Sequence, residues 1–127
     1  MNARPQDIYA RTQVNTAHPG ELTLMLYNGC LKFMKQAREH LENKNIEARN
    51  TNIKRALDII EELQATLNMQ YDISRNLFSL YAFIKDKLIE ANMRMSKESI
   101  QIAYDMTEEL RDTWAQALKQ VKTQGAK

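Results

Sequence analysis

From Pro19 to Val121 the apolar residues recur at three- and four-residue intervals, and short polar stretches divide them into four segments. Leu22, Leu26, Phe33, Ala37 and Leu41 form the first stripe, with Lys32, Lys35, Gln36 and Glu39 turned elsewhere. Ile46, Ile53, Leu57, Ile60, Leu63 and Leu67 form the second, and Ile73, Leu77, Leu80, Tyr81, Ile84, Leu88 and Ala91 the third. The fourth runs Ile100, Ala103, Met106, Leu110, Trp114, Ala117 and Val121. This spacing predicts helices over about 19–42, 46–68, 72–95 and 97–122. Pro19 suits a first helical position, where its missing N–H would be unpaired anyway, and Glu21 complements the helix dipole. Asn45, Asp72 and Ser96 offer N-caps for the helices that follow, and Glu98 falls in the last helix's first turn. Ahead of Pro19, Ile8, Tyr9 and Val14 stand isolated in a polar background, which predicts an extended or mobile arm over residues 1–18.

Four helices of similar length with short connections place sequential neighbours antiparallel. The expected fold is therefore all-α, an antiparallel up-down-up-down four-helix bundle with helices about 33 to 39 Å long at 1.5 Å per residue. At 127 residues the chain has room for one such domain, 1–127. Three glycines and two prolines, Pro5 and Pro19, are too few for a turn-rich β fold.

Charge adds little. The net +2 is spread over intermixed basic and acidic residues, so nucleic acid is not an expected partner. Lys119, Lys122 and Lys127 suit the C-terminal end of a helix dipole. A lone Cys30 forms no internal disulfide and fits a reducing cytoplasm. With no signal-peptide pattern and no run of 18 apolar residues, the expectation is a soluble cytoplasmic protein without membrane insertion.

A helical bundle can hold a di-iron centre, but that chemistry needs Glu-x-x-His on two helices. His18 and His40 are preceded at the i−3 position by Asn15 and Ala37. Cys30, beside Gly29 in an apolar segment, reads as a small core residue. Phosphate loops, nucleophile elbows and zinc spacings are missing. The sequence thus predicts no enzyme activity, no metal and no cofactor.

More apolar residues occur than one stripe per helix requires. Leu24, Met25, Leu31 and Met34 supplement the first, Phe78, Phe83 and Ile89 the third, and Ile102, Tyr104 and Leu118 the fourth. A wide core would absorb them; alternatively they form a groove for a partner helix. Seven methionines suit such an adaptable surface and equally suit gap-filling. Gly29 inside the first helix costs about 1 kcal/mol relative to alanine, which suggests close approach by a neighbour, internal or bound.

The segment Val14-Asn15-Thr16-Ala17-His18-Pro19-Gly20-Glu21-Leu22, continuing through Leu24-Met25-Leu26-Tyr27-Asn28-Gly29-Cys30, resembles the N-terminal signature of the flagellin-specific export chaperones, the FliS family. Ile59-Ile60-Glu61-Glu62-Leu63, Asn76-Leu77-Phe78-Ser79-Leu80-Tyr81, Leu88-Ile89-Glu90-Ala91-Asn92 and Leu110-Arg111-Asp112-Thr113-Trp114 agree in order and spacing. The resemblance implies a bundle that binds the disordered C-terminal segment of flagellin, prevents premature polymerisation and delivers it to the export gate of the flagellar type III apparatus. Some members bind other flagellar regulators, and a self-associating structural bundle or regulator adaptor is the alternative. The residues favoured for the flagellin groove are Leu22, Leu26, Ile53, Leu57, Ile60, Leu80, Tyr81 and Ile84, several of which also qualify as core. By the same resemblance Ile8, Tyr9 and Val14 of the arm cap part of the groove until flagellin displaces them. After Leu80-Tyr81 the family usually carries Asp, often followed by Tyr; here Ala82 and Phe83 make that turn more apolar.

Overall fold

The computed structural model describes residues 19–125, so Ile8, Tyr9 and Val14 and the expected arm lie outside the described residues. Four helices follow in order: α1 (Pro19–Glu42), α2 (Ile46–Ala65), α3 (Asp72–Arg94) and α4 (Lys97–Gly125). Each starts where the apolar periodicity places it. Asn45 caps α2, its side chain accepting from the Ala48 N–H at 3.2 Å. Ser96 caps α4 in the same manner, through the Ser99 N–H at 3.1 Å. Asp72 does not cap α3. The extended residue is Tyr71 (φ −95°, ψ 139°), so Asp72 falls in the first helical turn, where it meets the helix dipole and pairs with Arg75 at 3.3 Å.

Two connections are tight because their helices end in left-handed caps. Lys44 (φ 59°) and Met95 (φ 52°) reverse the chain, and the following N–H groups reach back five residues, Asn45 to His40 and Ser96 to Ala91. The third connection is longer because α2 stops at Ala65, short of the expected 68. The Thr66 hydroxyl donates to the Leu63 carbonyl at 2.9 Å, and the Asn68 side chain accepts from the Gln70 N–H at 3.1 Å, so local side-chain bonds replace helical ones.

Contacts between helices fix the up-down-up-down order. Cys30 and Gly29 of α1 meet Ala56 and Ile59 of α2. Along the α2–α3 seam, Arg49 reaches Asn92 at one end and Gln64 reaches the Phe78 carbonyl at the other, which requires antiparallel helices. The α1–α4 seam runs the same way: Arg38 bonds Gln101, Arg111 bonds Asn28, and the Trp114 indole donates to the Gly20 carbonyl at 2.7 Å.

The core lies along the shared axis. Met34, Ile59, Ile60, Ile84, Leu88 and Ile100 are wholly or almost wholly buried, each contributing roughly 1.5 to 3 kcal/mol of burial. Ala37, Ala56, Ala91 and Ala103, one on each helix, are fully buried and let the backbones approach closely. Thr107 is buried too, and its hydroxyl is satisfied by the Ala103 carbonyl at 2.8 Å. Among the described residues, no helix is long and apolar enough to cross a membrane.

Candidate partner-binding face

Helix α3 is apolar well beyond the strip it buries. Ser74, Tyr81, Ile84, Leu88 and Ala91 face inward, at the spacing of one helical face. Outside that strip Phe78, Leu80, Phe83 and Ile89 are each about two-fifths exposed, and Met93 and Ile73 more so. At about 100° per residue, Phe78, Ala82, Ile89 and Met93 fall on the shoulder that leans toward α2, where Lys85 reaches Glu61 at 4.0 Å. Leu80 and Phe83 fall on the opposite shoulder, toward α4, whose Met106 and Leu110 are half-buried against the core. An ordinary bundle helix is polar at such positions.

The charges on this face are largely committed to local partners. Lys87 lies 3.1 Å from Glu90 and 5.4 Å from the centre of the Phe83 ring. The hydrogen bond from Lys87, and then its charge, hold the Glu90 carboxyl below the usual range. Ala82 is half-buried and Phe83 exposed, so the turn that departs from the family pattern is apolar in space as well as in sequence.

Beneath this face lies a polar pair inside the core. The Tyr27 and Tyr81 hydroxyls meet at 2.5 Å across the bundle, from α1 to the diagonally placed α3. Burial raises both phenols above their usual range, and it does the same to the fully buried Cys30 thiol, which donates to the Ala56 carbonyl. Cys30 is therefore an un-ionised packing residue. Among the described residues, no three His, Cys, Asp or Glu side chains are grouped to hold a metal.

The structure redistributes the eight groove residues expected from sequence. Leu26, Ile53, Ile60, Tyr81 and Ile84 are at most 8% exposed and pack in the core. They belong to the central stripes, which each helix turns toward its neighbours, so as placed they line no open groove. Leu80 is exposed, and Leu22 and Leu57 are half-buried. Of the surplus apolar residues, Leu31, Met34 and Leu118 prove to be core, whereas Phe78, Phe83 and Ile89 stay at the surface. Those three were not among the eight residues expected to line the groove. Their signal was present, since they fall off the main stripe of α3. Gly29 needs no glycine for space: a Cβ there would sit 3.6 Å from Ile59 Cδ1, an ordinary contact.

A separate depression of about 410 Å³ lies between α1 and α4, lined by Leu24, Met25 and Leu118 and crossed by a Lys122–Glu21 ion pair.

The fold is thus an antiparallel four-helix bundle whose third helix keeps large apolar side chains exposed on both of its shoulders. The comparisons with known proteins name the family. The family model described as "Flagellar protein FliS" matches residues 1–121, and the chain belongs to that family. A relative from Bacillus subtilis, named "Flagellar secretion chaperone FliS", is 39% identical over 115 residues, covering 91% of this chain and 86% of the relative. One of the same name from Campylobacter jejuni is 29% identical, covering 90% of this chain and 91% of its own. The fold is shared with a solved structure titled "Crystal structure of flagellar chaperone from bacteria" at a TM-score of 0.75 and 20% identity, over 92% of this chain and 99% of that one. Several residues within the recognised motifs hold the bundle's seams: Trp114 and Arg111 tie α4 to α1, and Asn92 ties α3 to α2.

Proposed function

We infer that this protein is a cytoplasmic chaperone that binds the disordered C-terminal segment of flagellin as an amphipathic helix and keeps it from polymerising. It then delivers that segment to the flagellar export gate, with no catalytic step. The observation that carries this reading is the exposed apolar residues on both shoulders of α3, on a chain whose relatives are named flagellar secretion chaperones.

The magnitude of burial shapes the reading. Phe78, Leu80, Phe83 and Ile89 each retain about two-fifths of their exposure. Completing their burial contributes roughly 1 kcal/mol apiece, or roughly 4 kcal/mol in all. Ordering a disordered segment costs about 2 to 5 kcal/mol, so these four contacts alone leave little net affinity. The bound segment must therefore reach beyond α3 to the neighbouring helices, including Leu57 of α2 and Met106 of α4. In the free chaperone Ile8, Tyr9 and Val14 are proposed to cover part of this surface. Deleting residues 1–13 is then expected to change flagellin affinity and leave helicity intact.

The test is calorimetric titration with the C-terminal segment of flagellin from the same organism. One-to-one binding with a negative heat-capacity change and a gain of helicity by circular dichroism is expected. Absence of binding at high micromolar concentrations would remove the flagellin assignment and leave the family membership standing.

A further inference from the structure

Asp86 occupies an unusual place on α3. Its neighbours on the helix surface, three and four residues away in each direction, are Ala82, Phe83, Ile89 and Glu90. Three are apolar, and the fourth is engaged by Lys87 at 3.1 Å. The other cations nearest along the helix also have acidic partners, Lys85 with Glu61 and Arg94 with Glu90, each at 4.0 Å. Asp86 itself is exposed and makes no hydrogen bond or ion pair among the described residues.

We propose that Asp86 is the specificity-determining charge of the α3 face, selecting an amphipathic helix that sets one lysine or arginine opposite it. The inference rests on the reading of this face as a cargo surface. A helix that covers Phe83 and Ile89 also covers the carboxylate between them. Stripping a carboxylate of water without a counter-charge is strongly unfavourable, and each basic side chain of α3 is paired with another acid rather than with Asp86. The occupant has to bring the cation, and the position of that cation fixes the register of the bound helix. A helix with the right apolar stripe and an acid or nothing at that point is rejected, because repulsion and unmet desolvation discriminate more sharply than apolar contact does.

The experiment uses the full chain and a synthetic peptide of the flagellin C-terminal segment from the same organism, titrated at low and physiological salt. Asp86→Lys is expected to weaken binding about tenfold and Asp86→Asn about threefold, with the salt dependence flattened in both. Asp86 is exposed, so thermal unfolding of both variants should match the parent. A peptide in which one Lys or Arg is changed to Glu should bind Asp86→Lys better than the parent chain does, which identifies the paired residue. Unchanged affinity of Asp86→Lys for the parent peptide overturns this proposal and leaves the cargo reading intact. If the parent chain does not bind the peptide at all, both are overturned. A parent chain that sediments as a dimer, and is made monomeric by Phe83→Asp, shows the face covered by a second copy and overturns the proposed occupant.

Discussion

Removing one hydroxyl of the Tyr27–Tyr81 pair should cost more than removing both. Tyr27 is 3% exposed and Tyr81 2%, and their hydroxyls satisfy each other at 2.5 Å. Tyr81→Phe takes away one partner and leaves the Tyr27 hydroxyl in the core without its bond, a penalty of about 1 to 3 kcal/mol. Tyr27→Phe strands Tyr81 by the same amount. The double variant strands neither and retains both rings, so its cost should be well under the sum of the singles, with a coupling of about 1 to 2 kcal/mol. Urea unfolding followed by circular dichroism measures this directly. In a chain of this length each kcal/mol also moves Tm by about 3 to 5 °C. The same variants decide whether Tyr81 belongs to core or cargo surface. If it is core, Tyr81→Phe leaves flagellin affinity unchanged at temperatures where the bundle is fully folded. Additive single effects would refute the buried pair, and a loss of affinity without loss of stability would return Tyr81 to the binding surface.

Three further outcomes follow from the packing. Gly29→Ala should stabilise the protein by about 0.5 to 1 kcal/mol, because the added methyl meets Ile59 at ordinary contact distance while helix propensity improves; a lower urea midpoint would contradict this. Phe83→Asp should abolish most flagellin binding in a titration while lowering stability by only about 1 to 2 kcal/mol, because the ring is 42% exposed in the free protein and only its buried part is lost to the core; a loss of binding no larger than that of an exposed polar substitution would contradict this. Burial raises the Cys30 thiol and the Tyr27 and Tyr81 phenols, so the folded state resists losing their protons. Their contribution to stability is complete below the unfolded pKa values, about 8.5 for the thiol and 10 for the phenols, and falls as pH rises beyond them. Urea midpoints should therefore decline above about pH 8.5 and more steeply above pH 10, and Cys30 should react with a thiol reagent only on unfolding. Rapid modification of the native chain would show that Cys30 is not sealed.

The helices were legible because their signals are local. Asn45 and Ser96 cap as expected since a cap needs only its own side chain and the next turn. Asp72 failed for a reason of the same range: one residue decides whether a carboxylate sits at the cap or in the first turn, and the backbone of Tyr71 had already taken the extended conformation. The end of α2 was misplaced because Leu67 prolongs the apolar period, whereas Thr66 and Asn68 spend their hydrogen bonds on the turn.

By itself, then, the sequence determined four helices, their starting points, an all-helical bundle and membership of a chaperone family, all of which depend on periodicity and short motifs. What only the tertiary structure decided is which apolar residues remain exposed. Leu80 and Tyr81 are adjacent in the chain and both apolar, yet one is 37% exposed and the other 2%. Successive residues on a helix point about 100° apart, and whether a given direction meets a packed helix or solvent depends on where distant segments come to lie. The same holds for Tyr27 and Tyr81, which are 54 positions apart and share a hydrogen bond only because α1 and α3 face each other diagonally across the bundle. Periodicity carries the direction of a side chain relative to its own helix; what stands in that direction is settled only when the four helices close around one core.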